Sequence, residues 1–264
     1  MQLLNKTSSY KLMIIALSCM LTLSAGAASF PFVDIAANKG LVTAQATFGY
    51  MYRTGDGITQ NDNKAFEWTE QAAYRGHALS QYRLAEMYNS GTGVSQNTAK
   101  SVEWYEKAAN QGNVEIQFNL GNKYSRGEGV PQNYTKALEW YQKSADQGFA
   151  LAQYNLARMY YEGKGTPQDY IKTIELYRQA AAQGYSGAQN NLGHMYENGE
   201  GFVQDDVKSF EWYLKAANQG VAEAQNSLGL MYFEGRGVKQ DKAKSKEWYR
   251  QSCENGYWPS CDEL

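Results

Sequence analysis

Few side chains in this sequence have the types and the spacing of a catalytic or metal-binding centre. His77 and His194 are its two histidines, and neither has a cysteine, a second histidine or paired carboxylates at metal-ligand spacing. His77 follows a glycine in what we expect to be an exposed turn. No serine or cysteine lies in a nucleophile motif, and no Ser-x-x-Lys box occurs after residue 27. We therefore predict no catalytic residue, no metal site and no cofactor.

Pairs of glycines that could suggest phosphate-binding loops belong instead to a repeat. Each pair lacks the preceding strand and the following Lys-Ser or Lys-Thr of the dinucleotide-binding and P-loop motifs. The pairs recur with a strict period of 36 residues, and so does a column of single glycines. A fixed period of this size marks a solenoid, whose units bury their apolar faces against their neighbours. The single glycines are Gly40, Gly76, Gly112, Gly148, Gly184, Gly220 and Gly256.

Each unit is predicted to contain two helices, A and B, because apolar residues recur at helical spacing on either side of the glycine pair. The first glycine of a pair suits the left-handed position that ends helix A. An Asn or Asp column that follows suits the N-cap of helix B. A tryptophan column, replaced by Leu176 in the fourth unit, is predicted to be the large buried side chain of helix B. A pair of alanines beside it would let adjacent helices approach closely.

Two segments carry a family resemblance. The stretches AQYNLARMYYEGKGTPQDYIKTIELYRQAAAQG (152–184) and AQNSLGLMYFEGRGVKQDKAKSKEWYRQSCENG (224–256) resemble Sel1-like repeats, a tetratricopeptide-like family. The resemblance implies an all-α fold, a right-handed α/α superhelical solenoid of six 36-residue helix-turn-helix units with half-unit caps. It also implies protein–protein interaction rather than one particular chemistry. We expect units at about 41–76, 77–112, 113–148, 149–184, 185–220 and 221–256, with caps at 30–40 and 257–264.

The first 27 residues are interpreted as a secretory signal peptide. Two lysines form a basic start, residues 12–23 are apolar but few for a membrane span, and Ala-Gly-Ala at 25–27 suits cleavage. A lipoprotein signal that uses Cys19 is the alternative. We therefore expect the mature chain, residues 28–264, to be periplasmic or secreted in a bacterium.

Charge argues against a nucleic-acid partner. The sequence holds 25 basic and 27 acidic residues, and without the two lysines of the signal peptide the net charge is −4. No basic stripe interrupts this pattern, so the attraction to phosphates that drives such binding is missing. Since no second long apolar run is present, we also expect no integral membrane segment after cleavage.

The resemblance places the binding surface on the A helices, which line the concave face of tetratricopeptide-like stacks. Tyr82, Phe118 and Tyr154 lie one period apart and should form a row of about 20 Å, since packed helices lie about 8–10 Å apart. Such a row suits about six residues of extended peptide. We predict a groove for a polypeptide segment, or alternatively a glycan; in a third interpretation the aromatics only fill the seam between helices. The candidate groove residues are Tyr50, Tyr82, Glu86, Phe118, Asn122, Tyr154, Arg158, Tyr161, Asn190 and His194.

Cys253 and Cys261 are the cysteines of the mature chain, and Cys261 lies in an expected truncated seventh helix A. Their spacing resembles the disulfide-bearing pairs of Sel1-like proteins of the Helicobacter cysteine-rich type. In an oxidising compartment we expect a disulfide; a reduced, buried pair is the alternative.

Some Sel1-like proteins of the Helicobacter cysteine-rich type are labelled β-lactamases or penicillin-binding, which makes such an activity the enzyme alternative. A self-associating stack is the structural alternative.

Overall fold

The computed structural model describes residues 30–201 and 203–263, and the predicted signal peptide lies outside them. This part of the chain is helical and contains no strand, which confirms the all-α prediction. It forms two compact units, the N-terminal body up to Gln132 and the C-terminal body from Asn133. The helices are α1 Phe30–Asn38, α2 Val42–Thr54, α3 Asp62–Tyr74, α4 Ala78–Ser90, α5 Thr98–Ala109, α6 Val114–Arg126, α7 Tyr134–Ala145, α8 Ala150–Glu162, α9 Tyr170–Ala182, α10 Ser186–Asn198, α11 Asp206–Ala217, α12 Ala222–Glu234, α13 Lys242–Glu254 and the 3-10 helix Trp258–Glu263.

Within each body, helices that follow one another in sequence pack together in pairs. The pairs α2 with α3 and α4 with α5 lie in the N-terminal body, and α8 with α9, α10 with α11 and α12 with α13 lie in the C-terminal body. These are the predicted helices A and B of single units. Each B helix before α13 also packs against the A helix of the next unit, as α3 does on α4 and α9 on α10. None of the described helices has the length and apolar character needed to cross a membrane.

Helix ends follow the predicted columns. Asn97 caps α5, and its Oδ1 accepts a hydrogen bond from the backbone N–H of Lys100 at 3.0 Å. A cap of this kind stabilises a helix by about 1 kcal/mol. Gly91, at φ 74°, ends α4 in the left-handed conformation. The other B-helix caps are Asn61, Asn133, Asp169, Asp205 and Asp241.

The second glycine of the pairs at 93, 165 and 237 has a steric role that was not predicted. A Cβ on Gly93 would overlap the carbonyl oxygen of Asp62, and one on Gly237 would overlap that of Asp206. The loop after helix A therefore passes directly against the first turn of helix B in the preceding unit. Only glycine leaves room for this approach.

A column of glutamines forms a polar ladder inside the core. Gln81 donates from Nε2 to the carbonyl oxygen of Ala73 at 3.1 Å, and its Oε1 accepts from Gln111 Nε2 at 2.6 Å. Gln225 donates in the same way to the carbonyl of Ala217 at 3.1 Å. Each buried amide joins helix A to the end of the preceding helix B, so the ladder fixes their mutual register.

The deepest side chains of helix B differ from the prediction. Among the tryptophans of the repeat column, Trp104 and Trp140 are buried, whereas the others are half-buried between successive B helices. The tyrosine that follows lies deeper, inside the A and B pair of its own unit: Tyr105 and Tyr177 are 0% and 1% exposed. The half-buried tryptophans of the column are Trp68, Trp212 and Trp248.

The C-terminal cap is a 3-10 helix rather than the expected truncated helix A. Cys253 and Cys261 form a disulfide with their Cα atoms 5.1 Å apart, which confirms the expected pairing. Ser260 Oγ donates to Asn226 Oδ1 at 2.8 Å. The disulfide and this hydrogen bond hold the short helix against α12 and α13.

Candidate functional site

All ten predicted groove residues lie on A helices, five in each body. The N-terminal body carries Tyr50 on α2, Tyr82 and Glu86 on α4, and Phe118 and Asn122 on α6. The C-terminal body carries Tyr154, Arg158 and Tyr161 on α8, and Asn190 and His194 on α10.

The two histidines have different surroundings: His77 caps a helix, and His194 lines the cavity described below. His77 is half-buried rather than exposed, because its ring caps α4: Nδ1 accepts from the backbone N–H of Ser80 at 3.2 Å. Burial, together with the charge of Arg83, lowers the pKa of His77. Across the described residues, no three His, Cys, Asp or Glu side chains are grouped so that they could hold a metal ion.

In the C-terminal body, one cavity of about 310 Å³ brings four of the predicted residues together. They lie on two neighbouring A helices, α8 and α10, and each helix contributes two of them to the cavity lining. Tyr154 lies beside this cavity, with its ring centroid 5.6 Å from that of Tyr177 in the cavity wall. The four predicted lining residues are Arg158, Tyr161, Asn190 and His194.

Two tyrosines that the sequence analysis did not select complete the cavity wall. Tyr177 and Tyr213 are 1% and 2% exposed, and both line the cavity. Asn191 donates from Nδ2 to the Tyr177 hydroxyl at 2.9 Å, and the Tyr213 hydroxyl donates to Glu197 at 2.7 Å. Burial is the main cause that raises the pKa of both phenols, so both stay neutral. A tyrosine directly after the tryptophan column in several units was the sequence signal for them.

An ion-pair cluster lies at one edge of the cavity. Glu162 accepts from Arg158 Nη2 at 2.9 Å and from Lys164 Nζ at 2.6 Å. Burial acts to raise the pKa of Glu162, but the hydrogen bonds from Lys164 and Arg158 prevail and hold it below its ordinary value. A carboxylate arriving from a partner would therefore compete with Glu162 for Arg158.

Other polar side chains of the cavity lining have less complete pairing. The Tyr161 hydroxyl donates to Glu200, 3.1 and 3.2 Å from its two carboxylate oxygens, and His194 Nδ1 lies 3.6 Å from the same carboxylate. Burial, followed by the bond to Glu200, raises the pKa of Tyr161 to about 12. Asn190 Oδ1 is buried, and within the described part of the chain it has no hydrogen-bond partner.

The N-terminal body has a cavity of its own, of about 500 Å³, which Tyr82 and Glu86 line. Glu86 forms an ion pair with Lys123 at 2.9 Å. Tyr50 lies under two guanidinium groups, with Arg53 and Arg83 at 5.6 and 4.9 Å from its ring centroid. These are cation–π contacts, which fix the Tyr50 ring.

The remaining predicted residues of this body, Phe118 and Asn122, are half-buried on α6. The row that would join Phe118 to Tyr154 stays a prediction.

Comparison with known families identifies the repeat. The Sel1 repeat model matches residues 44–77, 78–113, 114–149, 150–185, 186–221 and 222–257. These matches cover most of the chain. No protein with curated annotation matches it.

Solved structures show the same repeat. The protective antigen c5321 of uropathogenic Escherichia coli, which displays an SLR fold, is 38% identical over 88% of this chain, with a TM-score of 0.79. The chain covers 50% of that protein, so it spans about half of its length. A Sel1 repeat protein from Oxalobacter formigenes is 28% identical, covering 90% of this chain and 96% of its own, with a TM-score of 0.66.

A weaker match is the cysteine-rich protein B of Helicobacter pylori. It is 20% identical over 50% of this chain and 96% of its own, with a TM-score of 0.42, and no functional inference follows from it. The six repeat matches and the two closer structures agree with the helix pairs described above. The chain therefore belongs to the Sel1 repeat family.

Proposed function

We propose that this protein is an interaction scaffold that binds a polypeptide segment against its A helices. Sel1 repeat proteins generally mediate protein–protein interaction and are generally non-catalytic. The observation that carries the proposal is the composition of the C-terminal cavity. It combines a tyrosine wall with the amides of Asn190 and Asn191, and it has an Arg158–Glu162 ion pair at its edge.

This wall has the chemistry to hold an extended peptide. Aromatic rings offer a large apolar contact, and asparagine amides both donate and accept hydrogen bonds as a peptide backbone requires. The buried Oδ1 of Asn190 lacks a donor, and an unsatisfied acceptor of this kind costs about 1–3 kcal/mol. A small rotation of the amide would let a backbone N–H of the bound segment supply that donor.

Tyr82 and Tyr154 of the predicted row also pack inside the protein, against tyrosines of helix B in their own unit. The contact that the seam hypothesis expects, toward the next A helix, is made by Tyr154 with Tyr185, at 4.8 Å between ring centroids. Tyr82 lies on Tyr105 at 5.4 Å between ring centroids, and Tyr154 lies on Tyr177 at 5.6 Å. Unlike the two tyrosines beneath them, Tyr82 and Tyr154 keep part of their surface exposed. Since their packing already fixes the rings, little side-chain entropy would be lost when a partner binds. The packing of the two rings and their partial exposure therefore both support a preformed binding surface.

Selection of peptides from a phage-displayed random library tests the proposal. We expect the mature chain to select peptides whose affinity falls about tenfold or more in an Arg158→Glu, His194→Ala double variant, as for other interface hot spots. Both side chains are half exposed, at 50% and 52%, so the fold should tolerate the changes. Arg250→Glu on α13 makes the same charge change at an exposed residue outside the cavity lining and is the matched control.

Three outcomes would contradict the proposal. The first is a library from which no peptide is selected, and the second is an affinity that falls equally in the Arg250→Glu control. Retention of glycans but not of peptides, on arrays of both, would favour the glycan alternative. Separately, hydrolysis of nitrocefin by the purified protein would establish the enzyme alternative.

The proposal includes a location in the periplasm or outside a bacterial cell. The signal-like N-terminal segment and the Cys253–Cys261 disulfide support it, because disulfides persist in oxidising compartments. N-terminal sequencing of the protein from a periplasmic extract should begin near residue 28. A chain that begins at Met1 and remains with the cytoplasmic fraction would contradict this location.

A further inference from the structure

The fourth unit lacks the tryptophan that joins successive B helices elsewhere in the C-terminal body. Trp212 on α11 packs against the core cluster that includes Ala181 on α9. Trp248 on α13 packs in the same way against the cluster that includes Ala217 on α11. At the matching position α9 carries Leu176, whose side chain is much smaller than an indole.

A cavity of about 450 Å³ lies where the missing indole would pack. Leu176 lines it on one side, and Ala145 on α7 lines it on the other. Ala145 is one period before Ala181 and two periods before Ala217, so it corresponds to the alanines beneath the other indoles. The framework that receives an indole in the later units is therefore present here without one.

A lysine that covers the indole in three units is missing from the fourth unit, as it is from the first and the last. Lys143 lies 3.9 Å from the ring of Trp140, and Lys215 lies 4.0 Å from the ring of Trp212. The fourth unit has Gln179 at the corresponding position, and Gln179 lines the cavity. The Trp–Lys contact is therefore absent from the fourth unit, and the cation that lines this cavity is Lys172 of the same helix.

One tryptophan of the protein is largely exposed. Trp258 is 75% exposed, whereas the five tryptophans of the repeat column are buried or half-buried. It begins the 3-10 helix that the Cys253–Cys261 disulfide and Ser260 fix to the C-terminal body. An exposed tryptophan on a helix that is held in place has the properties of a binding anchor, because tryptophan dominates interface hot spots and a fixed backbone lowers the entropic cost of binding.

We propose that Trp258 of one copy of this chain inserts into the Leu176 cavity of a second copy. The indole is the group that this framework holds elsewhere in the same body, and Gln142, Gln153 and Asp146 in the cavity wall offer acceptors for its N–H. The contact joins two different surfaces, so it is heterologous and extends into rings or open chains. A single anchor buries little area, which gives weak, concentration-dependent association.

Sedimentation velocity over a concentration series tests this contact with the mature, disulfide-bonded chain. We expect association of the wild-type chain to weaken about tenfold or more in Trp258→Ala and in Leu176→Trp. Neither variant should unfold the protein, because Trp258 is exposed and Leu176→Trp restores the residue used in the other units. A mixture of the two variants retains one intact anchor and one intact cavity, so it should form heterodimers that do not grow further.

A matched control separates insertion into the cavity from general stickiness. Ile171 is 70% exposed on the same helix as Leu176 but does not line the cavity, so Ile171→Ala should associate like the wild type. Wild-type chain that stays monomeric at the highest attainable concentration would overturn the proposal. It would also be overturned if the two variants failed to complement each other, or if Ile171→Ala weakened association as much as Leu176→Trp.

Discussion

A single methyl group added to α10 provides a sensitive test of how the cavity wall is built. Gly193 is buried against the ring of Tyr213, and a Cβ at this position would lie 2.7 Å from Cδ1 and 2.9 Å from Cγ of that ring. These atoms belong to the base of the ring, so a rotation of the hydroxyl end cannot relieve the overlap. We therefore expect Gly193→Ala to displace Tyr213.

Two opposing contributions set the magnitude. Overpacking of a core costs about 1–3 kcal/mol. Replacing glycine by alanine inside a helix gains about 0.8–1 kcal/mol. The net expectation is a loss of about 0–2 kcal/mol from the free energy of unfolding. Movement of the ring should also break the 2.7 Å hydrogen bond from Tyr213 to Glu197, which places the value toward the upper part of that range.

The preceding unit supplies the control. Ala157 occupies the position equivalent to Gly193 and is fully buried, and Tyr177 occupies the position equivalent to Tyr213. The Tyr177 hydroxyl is hydrogen-bonded to Asn191, whereas that of Tyr213 is hydrogen-bonded to Glu197. The Tyr177 ring therefore takes a position that leaves room for the side chain of Ala157. Ala157→Gly should therefore destabilise the protein by about 1 kcal/mol, through helix propensity and a small loss of packing.

Urea unfolding, combined with hydrogen exchange of α10 and α11, measures both changes. Hydrogen exchange is included because the two bodies need not unfold in one cooperative step. We expect faster exchange in these two helices in Gly193→Ala, together with weaker binding of peptides selected by the wild-type protein. A Gly193→Ala protein that is about 1 kcal/mol more stable than wild type, with unchanged exchange, would show that helix propensity alone decides and would refute the steric argument.

Two further predictions concern alkaline pH and the disulfide. Tyr161 has a pKa of about 12 in the folded protein, against 10.0 when it is unperturbed, so the unfolded chain loses its proton first. Its contribution to stability is therefore complete below about pH 10 and is lost as the pH rises toward 12. Urea unfolding should show a smaller loss of stability over this pH range in Tyr161→Phe than in the wild type, and an equal loss in both would contradict this. Replacing Cys253 and Cys261 by serine should cost about 2–3 kcal/mol, because the disulfide closes a short loop. Hydrogen exchange should locate that loss in α13 and the 3-10 helix, and unchanged protection there would show that packing alone holds the cap.

Much of the fold could be predicted because the same capping and turn residues recur at the same position of each repeat unit. Asn97 was expected to cap helix B and Gly91 to end helix A, and both do so. Such features depend on backbone groups within a few residues, so one unit is enough to infer them. The role of Gly93 was missed because its constraint comes from Asp62 in the preceding unit, at a distance that spacing alone does not reveal.

The cavity wall was harder to predict for a related reason. Arg158 and His194 were identified from their positions on helix A, and both line the cavity. Tyr177 and Tyr213 were not selected, because the tryptophan column beside them was predicted to supply the large buried side chain of helix B. They are indeed buried, but their hydroxyl ends meet polar partners at the cavity. Whether a buried side chain also reaches a binding surface depends on helix rotation, which a hydrophobic pattern does not fix.

The glutamine ladder explains how one repeat can present different surfaces in each unit. Gln189 donates to the carbonyl of Ala181 at 3.3 Å and accepts from Gln219 at 2.8 Å, and Gln225 makes the equivalent contacts one unit later. The bonds to the alanine carbonyls are buried, the other two are partly buried, and none of them involves the groove positions. Because the ladder sets the register of helix A, the groove position at 154 can be tyrosine while that at 190 is asparagine without a change in backbone placement. Under the proposed function, specificity for a partner would therefore lie in the side chains that do not recur, and the recurring ones would keep them at fixed spacing.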